Sequence, residues 1–126
     1  MRIGELARRA GTTTRALRFY ESQGLLPAQR AANGYREYGE DDLRLVNEIQ
    51  ALRTVGLTLD DTRPFVECLR AGNERADVCP ASLSAYRERI ADIDSRMAEL
   101  TGLRAQLADL LAQAESYRTQ PAEERA

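Results

Sequence analysis

Two sets of residues in this chain could do chemistry. The first is a run of arginines near the N-terminus. Residues 1–36 carry Arg2, Arg8, Arg9, Arg15, Arg18, Arg30 and Arg36 against only Glu5 and Glu21, although the whole 126-residue chain has a net charge of −2. A guanidinium fork matches phosphate oxygens and the guanine edge bidentately. A local basic face can therefore bind phosphates on a molecule that is acidic overall. Every basic residue is Arg and none is Lys, a bias that codon usage alone would produce. The second set is Cys68 and Cys79, whose thiols could form a disulfide or ligate a metal. Histidine is absent, and there is no nucleophile–base pair, phosphate loop or metal motif, so no enzyme is expected.

Helices must position these groups. Ile3, Leu6, Ala7 and Ala10 recur at helical spacing and Gly11 ends the run. Thr13 is suited to cap a second helix carrying Ala16, Leu17 and Tyr20, with Gly24 as its stop. Two helices joined by a short glycine turn make a helix-turn-helix, and the spacing alone equally permits an ordinary αα-hairpin. Asn33-Gly34 is a strong hairpin signal. A ribbon this short must lean on the helices, as a wing does. Glu40 or Asp41 is expected to cap a third helix with Leu43, Val46, Ile49, Leu52 and Val55 on one face, broken at Gly56. A fourth follows, with Thr58 and Asp61 close to a capping box, Pro64 in the first turns, and Phe65, Val66 and Leu69 buried.

From Ala81 the pattern changes. Leu83, Tyr86, Ile90, Ile93, Met97, Leu100, Leu107, Leu111 and Ala114 fall on alternating steps of three and four, with Arg104 a polar exception. That is a coiled-coil seam on a helix roughly 50 Å long, which a small head cannot cover. A second copy of the chain is the simplest partner, so a homodimer is expected. The expected boundaries are a helical head over 1–70, a linker over 71–80, the dimerisation helix over 81–117 and a flexible tail over 118–126. The low aromatic content of 6% argues against a β-sandwich and for a mainly α chain. No signal peptide or apolar run of membrane-spanning length is present, which points to a cytoplasmic protein without a membrane partner, its thiols ordinarily reduced.

Gly4-Glu5-Leu6-Ala7, Arg18-Phe19-Tyr20-Glu21, Gly24-Leu25-Leu26-Pro27 and Asn33-Gly34-Tyr35-Arg36-Glu37-Tyr38, in this order and spacing, resemble the MerR family of bacterial transcription regulators. The likeness is strong through about residue 70; beyond it, position and length of the helix match more than identity. The resemblance implies a winged helix-turn-helix head and an antiparallel coiled-coil dimer. It also implies a mechanism. The dimer sits on double-stranded promoter DNA whose −35 and −10 elements are spaced too far apart for RNA polymerase, then bends and untwists it into register. By the same resemblance the second helix enters the major groove, Arg15 reaching a base edge and Arg18 and Tyr20 phosphates. Thr13 and Thr14 serve phosphate at the helix start, and Tyr35, Arg36 and Tyr38 act from the wing. The residues themselves also permit Tyr20 or Tyr38 as core aromatics and Arg18 as an ion-pair partner. Val55-Gly56-Leu57-Thr58-Leu59 matches the family's second wing.

The resemblance also frames what the chain could sense. The chain ends soon after the long helix, which leaves no room for the drug-binding domain of larger members, and the cysteine cluster of the iron–sulfur members is absent. In zinc-, cadmium- and mercury-sensing relatives a cysteine at the start of the long helix ligates metal, as Cys79 could here. Those relatives have further cysteines after the helix, where this chain reads Glu115-Ser116-Tyr117-Arg118-Thr119-Gln120. Cys68 and Cys79, with Glu67 or Asp77, could supply only part of a metal site. The alternatives are thiol sensing, with Cys79 activated at a helix N-terminus, and two structural cysteines. An architectural DNA binder without an effector and a plain dimerisation module are the other readings.

Overall fold

The computed structural model describes residues 1–27 and 37–125. Their regular elements are helical: α1 (Ile3–Ala10), α2 (Thr14–Ser22), α3 (Glu40–Thr54), a 3-10 turn (Asp60–Thr62), α4 (Arg63–Arg70) and α5 (Pro80–Thr119). The Asn33-Gly34 hairpin expectation lies outside the described residues, as do Tyr35 and Arg36. The chain divides into two units, Met1–Arg87 and Glu88–Ala126.

Local chemistry sets the helix ends. Gly11 closes α1 in the left-handed region at φ 68°, a conformation that costs a side-chain-bearing residue. Thr13 caps α2, its hydroxyl oxygen accepting from the Ala16 N–H at 3.1 Å. The expected cap of α3 is corrected. Gly39 is the N-cap, and Asp42 in the first turn accepts from the Gly39 N–H at 2.8 Å. The box before α4 is complete, with Thr58 N–H donating to Asp61 and Asp61 N–H to the Thr58 hydroxyl. Pro64 occupies the first turn of α4, where its missing N–H costs nothing.

The first unit buries three adjoining clusters. Leu6 and Ala7 of α1 meet Leu17 of α2, Leu26, Tyr38 and Val46. Leu25, Leu45, Ile49 and Val66 join α3 to α4. Leu52, Leu57, Phe65 and Ala76 close the far end, where the Tyr86 ring meets Phe65 edge-on at 4.9 Å. These clusters fix α2 against α1 and α3 with Leu17 inward, so its opposite face is left to solvent. Val55, expected on the buried face of α3, is exposed instead. It follows the last helical residue, where the chain turns at Gly56 and leaves the helical phase.

In the second unit the helix carries an uncovered apolar stripe. Ile90, Ile93, Met97, Leu100, Leu107 and Leu111 are all exposed, and Leu103 and Leu110 widen the stripe beyond the expected seam. Residues after the helix turn back at its end, where Arg125 donates to the Arg118 carbonyl at 2.7 Å and stacks over Tyr117. No helix among the described residues is long and apolar enough to cross a membrane.

Candidate nucleic-acid interface and cysteine pair

The outward face of α2 is built by helical spacing. Arg15, Arg18, Phe19 and Ser22 stand three, four and seven positions apart and are all exposed, opposite the buried Leu17. Thr13 is exposed at the helix start and Thr14 half-buried. Phe19 is the unforeseen member, with 53% of its surface exposed between arginines. Its position four residues after Arg15 was the available signal. Tyr20 is half-buried and packs against two of the core clusters, so its ring is anchored inward.

Tyr38 requires a correction. The wing role places its ring outside, yet the residue is 2% exposed among Leu6, Leu17 and Val46. Its hydroxyl donates to the Glu21 carboxylate. Its backbone N–H donates to the Met1 carbonyl at 2.7 Å, and the Met1 amino group donates back to the Tyr38 carbonyl at 2.6 Å. Tyr38 therefore joins the chain's start to α2 from within the core, the alternative that the sequence leaves open for it.

The N-terminal arginines do not all face outward in the same way. Arg9 makes a two-pronged contact with Glu40, at 2.7 and 3.2 Å, linking α1 to the start of α3. The Arg9 guanidinium holds the Glu40 carboxyl below the usual range through that hydrogen bond. Such exposed pairs contribute little to stability. Arg63, which the sequence does not single out, donates to the Gln23 carbonyl at 3.0 Å and to Asp60 at 3.3 Å. It thereby ties α4 to the C-terminal end of α2.

Cys68 and Cys79 are joined in a disulfide with a Cα–Cα distance of 6.0 Å. Cys68 is buried in the last turn of α4. Cys79 is half-buried directly before α5, its carbonyl accepting from the N–H groups of Ser82 and Leu83. Between them, the Asn73 side chain donates to the Cys68 carbonyl at 2.9 Å and reaches the Cys79 sulfur at 3.5 Å. The donor set does not fit a closed metal site. Among the described residues no three His, Cys, Asp or Glu side chains are grouped to hold an ion. Asp77 is engaged by both prongs of Arg75, at 2.9 and 2.8 Å, a hydrogen-bonded pairing that lowers its carboxyl below the usual range. Glu67 is exposed.

Comparison with known proteins gives consistent findings. Residues 1–67 match the model of the MerR HTH family regulatory protein, and residues 43–110 match that of MerR, DNA binding. The HTH-type transcriptional regulator CueR of Salmonella typhi is 36% identical over 118 residues, covering 92% of this chain and 80% of that protein. The crystal structure of the transcription regulator PbrR691 from Ralstonia metallidurans CH34 in complex with lead(II) superposes with a TM-score of 0.72 at 34% identity, covering 99% of this chain and 94% of that one. HiNmlR, a MerR family regulator lacking the sensor domain and bound to promoter DNA, superposes with a TM-score of 0.57 at 28% identity, over 93% and 91% of the two chains.

Proposed function

From the premise that the chain belongs to the MerR family of DNA-binding transcription regulators, we propose that it acts in the cytoplasm as a homodimer on a two-fold-symmetric promoter site. In this reading α2 enters the major groove. Arg15 reads a base edge, Arg18 and the start of the helix at Thr13 and Thr14 hold phosphates, and Tyr20 supports the helix from its inner side. Tyr35 and Arg36 contact the flanking backbone from the wing, and the turn at Val55-Gly56 adds backbone contacts. The exposed Arg15–Arg18 face, set rigidly by Leu17 in the core, carries this reading.

Dimerisation follows from the apolar stripe over Ile90–Leu111. A stripe of large apolar side chains along one helix is unfavourable in water and is covered by an equal helix from a second copy. Two heads related by a two-fold axis match a palindromic site. The dimer works by deforming the promoter so that RNA polymerase meets both of its elements. Control is assigned to the cysteine pair. The relative PbrR691, described in complex with lead(II), makes a metal effector the second reading, which two thiols alone do not support well.

In vitro transcription tests the mechanism. Purified polymerase is supplied with templates that differ only in the spacer between the −35 and −10 elements. Activation confined to the overlong spacers is expected. Equal effects at every spacer length, or none, would overturn the deformation mechanism.

A further inference from the structure

Resting on the reading as a promoter-binding regulator, we propose that Cys68 and Cys79 are a reversible dithiol–disulfide pair oxidised by peroxides, and that its bond state at the α4–α5 joint sets transcriptional output.

The pair is held together by more than its own bond. The Asn73 amide spans Cys68 and Cys79. Ala76, midway along the loop, is buried beside Leu52, Leu57 and Phe65. Its carbonyl accepts from the buried Ser82 hydroxyl at 2.7 Å. Tyr86 on the first turns of α5 packs against Phe65 of α4. None of these contacts runs through the sulfur–sulfur bond, so on this proposal they keep the reduced thiols within reach of each other. A Cα separation of 6.0 Å lies within the ordinary span of a disulfide.

The two thiols differ in a way that assigns their roles. Cys79 is half-buried and Cys68 is 2% exposed. A small oxidant reaches Cys79 first. Cys79 also stands at the start of a long helix, beside the Asn73 amide donor, both of which favour a thiolate. The Cys79 thiolate attacks one oxygen of hydrogen peroxide; the O–O bond breaks and, with one proton, water leaves. Cys79 is now a sulfenic acid. The Cys68 thiol attacks that sulfur, the S–O bond breaks, and a second water leaves with the thiol proton. Two electrons have passed from the sulfurs to the peroxide. A dithiol reductant returns them by exchange and is itself oxidised to a disulfide.

The consequence is mechanical. With the bond made, the last turn of α4 is covalently tied to the first turn of α5, and the joint has one geometry. With it broken, the joint is held by noncovalent contacts alone, among them those of Ser82, Asn73, Ala76 and the Phe65–Tyr86 pair. A regulator that works by deforming DNA depends on how its head is set upon the dimerisation helix, so the bond alters output more than affinity.

The test uses the full chain, reduced and then treated with stoichiometric hydrogen peroxide. Thiols are counted by mass after alkylation. Two alkylated cysteines are expected before peroxide, none after it, and two again after dithiothreitol. Cys68→Ala leaves no resolving thiol, so Cys79 should be trapped as a dimedone adduct. Transcription from a fragment selected by the reduced protein should differ at least about fivefold between the two forms. The difference should vanish in Cys79→Ser, which leaves the buried position intact, and in Cys68→Ala. Thiols that survive peroxide would overturn the proposal. So would a bond that forms without altering transcription, or output that answers to monovalent copper or mercuric ion but not to peroxide. If the reduced protein selects no DNA, the promoter-binding reading fails and the control of output with it, while the thiol count and dimedone adduct still decide the redox chemistry.

Discussion

Arg63 Nη1 donates to the carbonyl oxygen of Gln23 at 3.0 Å, so the first residue of α4 holds the C-terminal end of α2, forty positions earlier in the chain. A cation is favourable at this end of a helix, where carbonyls lack partners. The second nitrogen lies 3.3 Å from Asp60, which keeps the guanidinium in place. Arg63→Ala should cost about 1 kcal/mol by urea unfolding, since the pair is partly exposed. It should also weaken DNA binding without touching DNA. Arg63→Lys, able to reach the carbonyl but not to bridge both partners, should restore part of the loss. A variant with wild-type stability and affinity would deny the link any role.

The buried Tyr38 hydroxyl gives a second test. Tyr38→Phe removes the donor to Glu21 and should destabilise by about 1–2 kcal/mol. DNA affinity measured well below the unfolding temperature should be unchanged. Loss of affinity with unchanged stability would instead return Tyr38 to the DNA surface.

The end of α1 at Gly11, the cap of α2 at Thr13, the box at Thr58 and Asp61, and the place of Pro64 are legible in the sequence because each depends on neighbours within four residues. Tyr38 and Val55 are not. Tyr38 is drawn inward by the Glu21 carboxylate and the chain start, and Val55 falls just beyond the end of α3. The Arg63–Gln23 bond is equally invisible to local patterns, since only the packing of α3 and α4 brings its ends together. The cysteines could be seen as a pair able to bond, but their approach depends on Asn73 and the burial of Ala76. On α5 a strict heptad reading passes over Leu103 and Leu110, because the stripe is wider than a two-position seam.

The two arginines on α2 should respond differently. With Arg18 in its proposed phosphate role, Arg18→Ala should lower affinity about uniformly across sequences and drop the salt slope by about 1. Arg15→Ala should cost about 1–3 kcal/mol on the preferred site and much less on others. Binding competitions over a panel of single-base variants separate these outcomes. Identical effects on all sites would remove the base-reading role of Arg15.

The apolar stripe predicts the consequence of placing charge on it. Leu100→Asp together with Leu107→Asp should halve the sedimenting mass and abolish high-affinity binding, while the head retains its helical signal. A variant that still sediments as a dimer would move the interface elsewhere.

Burial pushes the Glu48 carboxyl up, and the charge of Asp77 adds to the rise. The folded state then holds the Glu48 proton more tightly than the unfolded chain. Its ionised form is a destabilising influence at neutral pH, relieved as pH falls through the raised value. Glu48→Gln should therefore be more stable than wild type at about pH 7, with the gap closing towards about pH 5. Urea unfolding at both values checks the sign; a gap that widens on acidification would contradict it.

Selection from a random-sequence duplex pool, with the bound DNA sequenced, tests most directly whether this chain reads DNA as a symmetric pair. The expected result is an enriched inverted repeat, bound with an affinity that falls steeply between about 50 and 200 mM salt. A pool that shows no enrichment, or binding indifferent to salt, would contradict it.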